Sequence, residues 1–167
     1  MRIRKENEFD GDGIRNLHTL AFKTSAEADL VNALKSSGVP GISLVAEENN
    51  ELCGHILFTP VELSGHADLK LMGLAPMAVI PAYQRQGIGS RLVEAGLEQC
   101  AEQDYDAVVV LGHPEFYPRF GFAPAVRYAI RSEYDVPDEA FMIRELREGT
   151  LRDVSGTIRY HPVFAWL

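Results

Sequence analysis

The sequence predicts a mixed α/β (α+β) fold, and three patterns along the chain support this prediction. Two amphipathic helical patterns come first, and a strand pair joined by a short asparagine turn follows them. A strand, a helix and a continuous apolar strand then come in immediate succession, which is typical of one right-handed parallel strand-helix-strand unit. The chain contains no internal repeat, low-complexity tract or linker. Residues 1–167 are therefore expected to form a single domain.

The amino-terminal part is predicted to contain an edge strand and two helices. Residues 1–6 suit the strand, and Asp10 or Asp12 can cap the first helix. Ser25 opens the second helix, which the turn at 38–41 ends. The apolar positions of both helices recur at helical spacing: Ile14, Leu17, Leu20 and Ala21 in the first, and Ala26, Leu30, Val31 and Leu34 in the second.

A hairpin and a third strand are predicted next. Residues 42–46 and 52–58 have strand character and flank Asn49 and Asn50, which tolerate positive φ angles in a tight turn. Residues 69–79 form the following strand. We expect an irregularity in it near Gly73 and Pro76, because glycine often marks a bulge and proline donates nothing to a strand ladder.

The parallel unit follows. A helix beginning at Gly89 has its apolar positions at Leu92, Val93, Gly96, Leu97, Cys100 and Ala101. Residues 106–111 are an unbroken apolar run, which indicates a strand covered on both faces. Pro118 limits 115–120 to a short helix at most, and further strands are expected near 128–131 and 141–147.

Composition excludes several classes of function. The formal charge of -8 and the absence of a Lys or Arg cluster oppose a general nucleic-acid surface. Cys53 and Cys100 belong to no C-x-x-C pair, so we expect neither a zinc site nor a disulfide framework, and no metal. The amino terminus lacks an apolar stretch of signal-peptide length, and no apolar run is long enough to span a membrane. A cytoplasmic location is expected.

The turn at residues 84–90 has the features of an anion site. The first N-H groups of a helix have no intrahelical partner, the helix dipole is positive there, and Gly87 and Gly89 allow close approach. A lone G-x-G is more often a plain turn into a helix. A Walker loop would require Gly-Lys-Ser or Gly-Lys-Thr, and a dinucleotide fingerprint would require a third glycine near the chain start, and neither is present.

The pattern around this turn is more specific. Residues 84–89, QRQGIG, match Q-x-x-G-x-G after a strand ending in MAVIP, and Phe116-Tyr117 is followed by Phe120-Gly121-Phe122. Together these motifs resemble the GNAT superfamily of N-acetyltransferases. The similarity to a bacterial-type branch of predicted N-acetyltransferases covers most of the chain, most sharply from Leu74 to Phe122. It implies a mixed, largely antiparallel central sheet with helices on both faces, and acetyl-CoA as cosubstrate.

The resemblance also implies roles for individual residues. The backbone of Met77, Ala78 and Val79 would bind the pantetheine arm. Tyr117 matches the family tyrosine that is proposed as the acid for the leaving thiolate. The backbone N-H groups that would bind the pyrophosphate are those of Arg85, Gln86, Gly87, Ile88, Gly89 and Ser90.

The implied reaction is direct attack by a primary amine on the thioester in a ternary complex, with a small molecule or a protein as the acceptor. The base stays open: His113 is a candidate for the base or for a substrate contact, ahead of His55 and His161, and Glu27 could face the substrate. Two other classes also stay open, a non-catalytic acyl-CoA binding or sensing module and a plain interaction domain. A homodimer is compatible with the sequence.

Overall fold

The computed structural model describes residues 1–166, and these contain strands, α-helices and short 3₁₀ helices. The strands are β1 (Arg2–Lys5), β2 (Ile42–Glu48), β3 (Glu51–Leu63), β4 (Leu71–Val79), β5 (Ala107–Leu111), β6 (Ala123–Pro124), β7 (Ile130–Ser132), β8 (Phe141–Glu145) and β9 (Gly156–Arg159). The α-helices are α1 (Gly11–Phe22), α2 (Ala26–Ser36) and α3 (Ile88–Glu102). The 3₁₀ helices are Pro81–Tyr83, Tyr117–Phe120, Ala125–Tyr128 and Pro162–Trp166. Within residues 1–166, each helix is too short or too polar to cross a membrane.

The chain divides into two compact units. The first contains residues 1–58, 76–96 and the chain from 162 onward, and the second contains residues 59–75 and 97–161. Three elements, β3, β4 and α3, contribute residues to both units.

In the first unit, β1 and β2 pair antiparallel, and β2 and β3 form the predicted hairpin. The register runs from Ile42 opposite Phe58 to Glu48 opposite Glu51, with a bulge between Ala46 and Glu47. Asn49 and Asn50 have φ angles of 51° and 64°. Both turn residues are therefore left-handed, as a two-residue hairpin turn requires, and this prediction is confirmed.

Helix α1 begins where predicted, but the side chain of Asp10 does not cap it. Asp10 occupies the N-cap position, and its carboxylate instead accepts bonds from Arg4 Nη1 at 2.8 Å and Nη2 at 3.0 Å. The Asn7 N-H donates to the same carboxylate at 2.7 Å. The bonds from Arg4 lower the pKa of Asp10. The carboxylate thus joins the start of α1 to β1 rather than satisfying the helix terminus.

The buried stripes of α1 and α2 differ from the predictions at three positions, since Leu20 and Ala26 are exposed and Ala21 is half-buried. Leu20 is 50% exposed, and the third buried residue of α1 is His18 instead. Ala26 is exposed, whereas Ala28 is buried. Of the remaining predicted positions, Leu17 is buried, and Ile14, Leu30, Val31 and Leu34 share one core cluster with Val45, Leu57 and Val163.

In the second unit, β4 and β5 are parallel, from Leu71 opposite Ala107 to Leu74 opposite Val110. Strand β8 pairs antiparallel with both β5 and β6. Strand β9 pairs antiparallel with β3 and parallel with β7. The sheet is therefore mixed and largely antiparallel, with the expected parallel strand-helix-strand unit formed by β4, α3 and β5.

Strand β4 runs without interruption from Leu71 to Val79, so neither Gly73 nor Pro76 breaks it. Gly73 serves close packing: a Cβ at this position would lie 2.9 Å from Cγ1 of Val61. Pro76 lies beyond Leu74, the last residue in register with β5, so its missing N-H removes no bond from that ladder.

Candidate functional site

The strand β4 leads directly into the turn that precedes α3. The Ile80 N-H donates to the Cys53 carbonyl at 2.9 Å, which holds the end of β4 against β3. Gln84 Nε2 then donates to the Val79 carbonyl at 2.9 Å, so the turn is tied to the strand. Met77 and Val79 are half-buried and Ala78 is buried, as the alternation of a strand requires.

The turn has the left-handed backbone that a tight reversal before a helix needs. Arg85 and Gly87 have φ angles of 63° and 85°. Among residues 1–166, no atom outside Gly87 and its two chain neighbours lies within 4 Å of the point where its Cβ would be, so this glycine is required for its backbone conformation rather than for packing. Residues 84–87 are exposed to solvent.

The start of α3 presents backbone donors. The first bond of the helix runs from the Arg91 N-H to the Gly87 carbonyl at 3.1 Å, so the amides that precede Arg91 have no intrahelical acceptor. Ile88 anchors this end of the helix, since its Cγ2 would lie 3.2 Å from a Cβ at Gly54. The predicted donors from Arg85 to Ser90 are thus brought together at one helix terminus, where the dipole favours an anion.

Tyr117, in the second unit, lies in an aromatic cluster at the start of the predicted short helix. Its side chain is 7% exposed, and its ring makes edge contacts with Phe116 and Phe122 at centroid distances of 5.0 and 5.7 Å. A Cβ at Gly112 would lie 2.4 Å from Cε2 of Tyr117, so glycine is needed for the ring to pack there. Burial raises the pKa of Tyr117 to about 12.

The candidates for the base differ in their surroundings. His113 is exposed, and its carbonyl accepts the Phe116 N-H at 3.1 Å. Glu27 is half-buried and accepts a bond from Thr24 Oγ1 at 3.2 Å. His161 is half-buried and follows β9. His55, in contrast, is completely buried in the first unit.

His55 belongs to a chain of hydrogen bonds that extends from the surface into the first unit. Its Nε2 lies 2.7 Å from Ser43 Oγ, and its Nδ1 lies 2.8 Å from Nε2 of His18. Ser43 Oγ donates to Glu6 Oε1 at 2.5 Å, and Lys35 Nζ donates to Glu6 Oε2. We call Glu6, Ser43, His55 and His18 the histidine chain. Sequence reasoning missed His18, and the available signal was its position next to Leu17 on the buried stripe of α1.

Metal and thiol chemistry find no support in the described residues. No group of three His, Cys, Asp or Glu side chains within residues 1–166 could hold a metal ion. Cys53 and Cys100 are free and buried, and burial raises the pKa of both thiols, that of Cys100 to about 12. Both side chains are therefore protonated at neutral pH and serve as small apolar groups.

A mixed, largely antiparallel sheet, whose one parallel strand-helix-strand unit has a glycine turn before its helix, is the architecture of GNAT acetyltransferases. The family model described as "Acetyltransferase (GNAT) domain" matches residues 2–125. The chain belongs to the GNAT family and is an N-acetyltransferase.

Relatives of this family align with nearly the whole chain. The uncharacterized N-acetyltransferase YhbS of Escherichia coli (strain K12) is 38% identical over 165 residues, which cover 98% of this chain and 98% of YhbS. The crystal structure of Escherichia coli YhbS in complex with CoA covers 98% of this chain and 91% of that one, with a TM-score of 0.94 and 37% identity. A GNAT family acetyltransferase from Brucella melitensis in complex with acetyl-CoA is 32% identical, with a TM-score of 0.82 and coverage of 98% and 97%.

Proposed function

We propose that this protein transfers the acetyl group of acetyl-CoA to a primary amine by direct attack in a ternary complex, with residues 1–167 acting as one domain. The observation that carries the proposal is the group of backbone donors from Arg85 to Ser90, which lies at the start of α3 directly after β4. The complexes of YhbS with CoA and of the Brucella melitensis relative with acetyl-CoA support the same cosubstrate.

The pyrophosphate of acetyl-CoA would bind at the start of α3. Backbone N-H groups and the helix dipole act on an anion without a side-chain charge, and the exposed turn at 84–87 gives the ligand access. Arg85 would contribute mainly its backbone N-H. Its side chain is exposed, and an ion pair between an exposed guanidinium and a phosphate adds little binding free energy.

The pantetheine arm would bind along the carboxyl-terminal part of β4. This strand continues to Val79, whereas its register with β5 ends at Leu74 and β5 itself ends at Leu111. The backbone of Met77, Ala78 and Val79 can therefore bond an extended amide chain in the way that a strand edge does.

The reaction needs no nucleophile from the protein. The neutral amine attacks the thioester carbonyl, the C–N bond forms, the C–S bond breaks, and the thiolate requires a proton or a hydrogen bond. Tyr117 would supply that hydrogen bond. The acceptor is a small-molecule or protein amine.

Cys53 and Cys100 are free cysteines, which supports a cytoplasmic location.

The test is the affinity for acetyl-CoA of Gly89→Glu, measured by titration calorimetry. The new carboxylate lies where the pyrophosphate would bind, so we expect affinity to fall at least about 100-fold, by repulsion of two anions. Gly11→Glu is the matched control, because it adds the same charge at the start of α1, where the described residues beyond the local backbone place no atom within 4 Å of the Cβ position. We expect the control to bind as the wild type does.

Equal affinity of Gly89→Glu and the wild type would contradict the site. Release of free thiol from acetyl-CoA with n-butylamine, L-lysine and spermidine tests the transfer itself. Binding without turnover of any primary amine would favour a sensing module over the proposed enzyme.

A further inference from the structure

We propose that a cleft in the second unit binds the acceptor of the acetyl transfer, and that this acceptor is an aliphatic diamine or polyamine whose far ammonium group lies against Asp135 and Asp138. The cleft is lined by residues 126, 130–136, 138 and 141, and we call it the β7–β8 cleft because these two strands contribute to its lining. The inference rests on the proposed function and names the class of its acceptor.

The size of the β7–β8 cleft suits a small molecule. Its volume is about 360 Å³, near the lower end of the range of about 300–1,000 Å³ that small-molecule pockets have. All of its lining residues belong to the second unit, and most of them are exposed or half-buried. A small ligand can therefore enter the cleft from solvent.

The charge of the lining favours a cation. The lining contains three carboxylates, those of Glu133, Asp135 and Asp138, and one guanidinium, that of Arg131. Asp135 and Asp138 are exposed, and neither side chain forms an ion pair or a hydrogen bond within the part of the chain that the structure describes. Both carboxylates are therefore free to bind an ammonium group of a ligand.

Glu133 and Tyr134 form a wall of the cleft that is held in place by neighbouring residues. Glu133 Oε1 accepts the Tyr160 N-H at 3.0 Å, and Glu133 Oε2 lies 4.0 Å from Arg159 Nη1. The ring of Tyr134 stacks on that of Tyr160, with centroids 5.7 Å apart and an angle of 29° between the ring planes. The Tyr134 N-H also donates to Ser132 Oγ at 3.0 Å. A ligand therefore meets a wall that is already ordered, which lowers the entropy cost of binding.

The lining also has an apolar part. Val126 is 52% exposed and Tyr134 is 37% exposed, and Phe141, which also lines the cleft, belongs to the core of the second unit. Apolar surface beside carboxylates matches a ligand that combines a hydrocarbon chain with a positive charge. An inorganic cation would leave the apolar part without a contact.

The β7–β8 cleft and Tyr117 adjoin the same end of β5. Phe141 pairs with Leu111, the last residue of β5, and the Gly112 N-H donates to the Ala140 carbonyl at 3.0 Å. A Cβ at Gly112 would lie 2.4 Å from Cε2 of Tyr117, so the tyrosine ring packs against this glycine. The cleft therefore begins at the strand end where Tyr117 would contact the leaving thiolate.

A diamine fits these features better than the side chain of a lysine in a protein. The amine that attacks the thioester must be neutral, so it cannot also be the cation that Asp135 and Asp138 bind. A lysine side chain has one amine, whereas a diamine has a second nitrogen that stays an ammonium group for these carboxylates.

The reaction balances with the far ammonium group unchanged. The neutral amine attacks the thioester carbonyl, the C–N bond forms, and an N–H bond breaks as its proton passes to water. The C–S bond breaks, its electron pair leaves with the sulfur, and the thiolate takes up a proton from water. Because the far ammonium group contacts the carboxylates equally before and during the reaction, it lowers the KM for the acceptor and leaves kcat as it is.

The first test compares 1,5-diaminopentane with n-pentylamine, which has the same carbon chain and one amine fewer. In about 10 mM salt we expect the KM of the diamine to be at least about fivefold lower with a similar kcat, because two exposed ion pairs each make a modest contribution. The difference should shrink in about 1 M NaCl, which screens exposed charges.

The second test removes the two charges. Asp135→Asn combined with Asp138→Asn should bring the KM of the diamine to that of n-pentylamine while the KM for acetyl-CoA stays unchanged. The matched control is Asp68→Asn combined with Asp153→Asn, which removes two exposed carboxylates of the same unit that do not line the cleft. The control should keep the difference between the two amines that the wild type shows.

The outcomes separate this inference from the proposed function. If the wild type acetylates both amines with the same KM, or has a lower KM for Nα-acetyl-L-lysine amide than for the diamine, the acceptor class is overturned and the proposed function stands. If the wild type acetylates no amine, the proposed function fails, and calorimetric titration of 1,5-diaminopentane decides the cleft. Binding that the Asp135→Asn, Asp138→Asn protein loses supports the cleft, whereas no binding, or equal binding by that protein, overturns it.

Discussion

At the residue scale, burial decides what Tyr117 can do for the leaving thiolate. The side chain is 7% exposed and its pKa is raised to about 12, whereas a cysteine-like thiol has a pKa of about 8.5. Complete transfer of the phenolic proton is therefore uphill by about 5 kcal/mol. A hydrogen bond from the hydroxyl to the developing thiolate has no such cost, so we expect Tyr117 to act as a hydrogen-bond donor rather than as a full acid.

This role predicts a moderate effect for Tyr117→Phe. A hydrogen bond to a charged group is worth about 1.5–3 kcal/mol, so kcat should fall roughly 10- to 150-fold while the KM for acetyl-CoA stays unchanged. The measurement is the rate of thiol release with a primary amine in excess. Tyr105→Phe, which removes the hydroxyl of another buried tyrosine in the same unit, should leave kcat as it is. An unchanged kcat in Tyr117→Phe would remove the hydroxyl from the mechanism.

At the element scale, α3 depends on a glycine in its interior. A Cβ at Gly96 would lie 2.2 Å from Cε2 of Phe58, a residue of β3 in the same unit. No side chain can occupy that space unless the aromatic ring moves. The higher helix propensity of alanine favours the substitution by about 1 kcal/mol, whereas overpacking a core costs about 1–3 kcal/mol.

We therefore expect Gly96→Ala to lower the free energy of unfolding by up to about 2 kcal/mol, measured by urea denaturation. Gly11→Ala in the first turn of α1 is the matched control, because its Cβ position lies more than 4 Å from every atom of residues 1–166 outside the local helix backbone. The control should be neutral or more stable by up to about 1 kcal/mol. A Gly96→Ala protein as stable as its control would show that the helix does not need this close approach.

Elements with strong local signals were predictable from the sequence. Asn49 and Asn50 place a hairpin turn by their own backbone preferences, and the spacing of apolar residues places α3. Strands β7 and β9 pair with each other, and β9 also pairs with β3. Such short strands are defined by distant partners rather than by their own residues, which is why the sequence left 156–159 unassigned.

The candidate site also contains residues that a local motif reveals and residues that only the fold brings together. The donors at 85–90 and Tyr117 lie in contiguous motifs, so a single chain reveals them. The histidine chain has no such motif, because His18 and His55 are 37 residues apart and belong to a helix and a strand. Their bond exists only once α1 packs on β3. The sequence alone does not show whether a histidine faces a ligand or lies in the core.

At the scale of the whole molecule, the two compact units share secondary structure. Strands β3 and β4 and helix α3 each begin in one unit and end in the other. Loss of either unit would cut the hydrogen-bonded ladder or helix that the other unit also uses. Unfolding one unit alone therefore leaves backbone groups of these elements without their partners in the remaining unit.

Because of this sharing, we predict a single cooperative unfolding transition for the whole chain, with equal calorimetric and van't Hoff enthalpies. Acetyl-CoA at 100 times its Kd should stabilise that transition by about 2.7 kcal/mol and raise Tm by roughly 5–11 °C. The proposed donors to acetyl-CoA at 85–90 belong to the first unit. Hydrogen exchange at Val108 to Val110 of the second unit therefore reports whether acetyl-CoA also stabilises that unit. Two calorimetric transitions, or a ligand that leaves exchange in β5 unchanged, would mean that the units unfold independently and that the proposal of one domain is wrong.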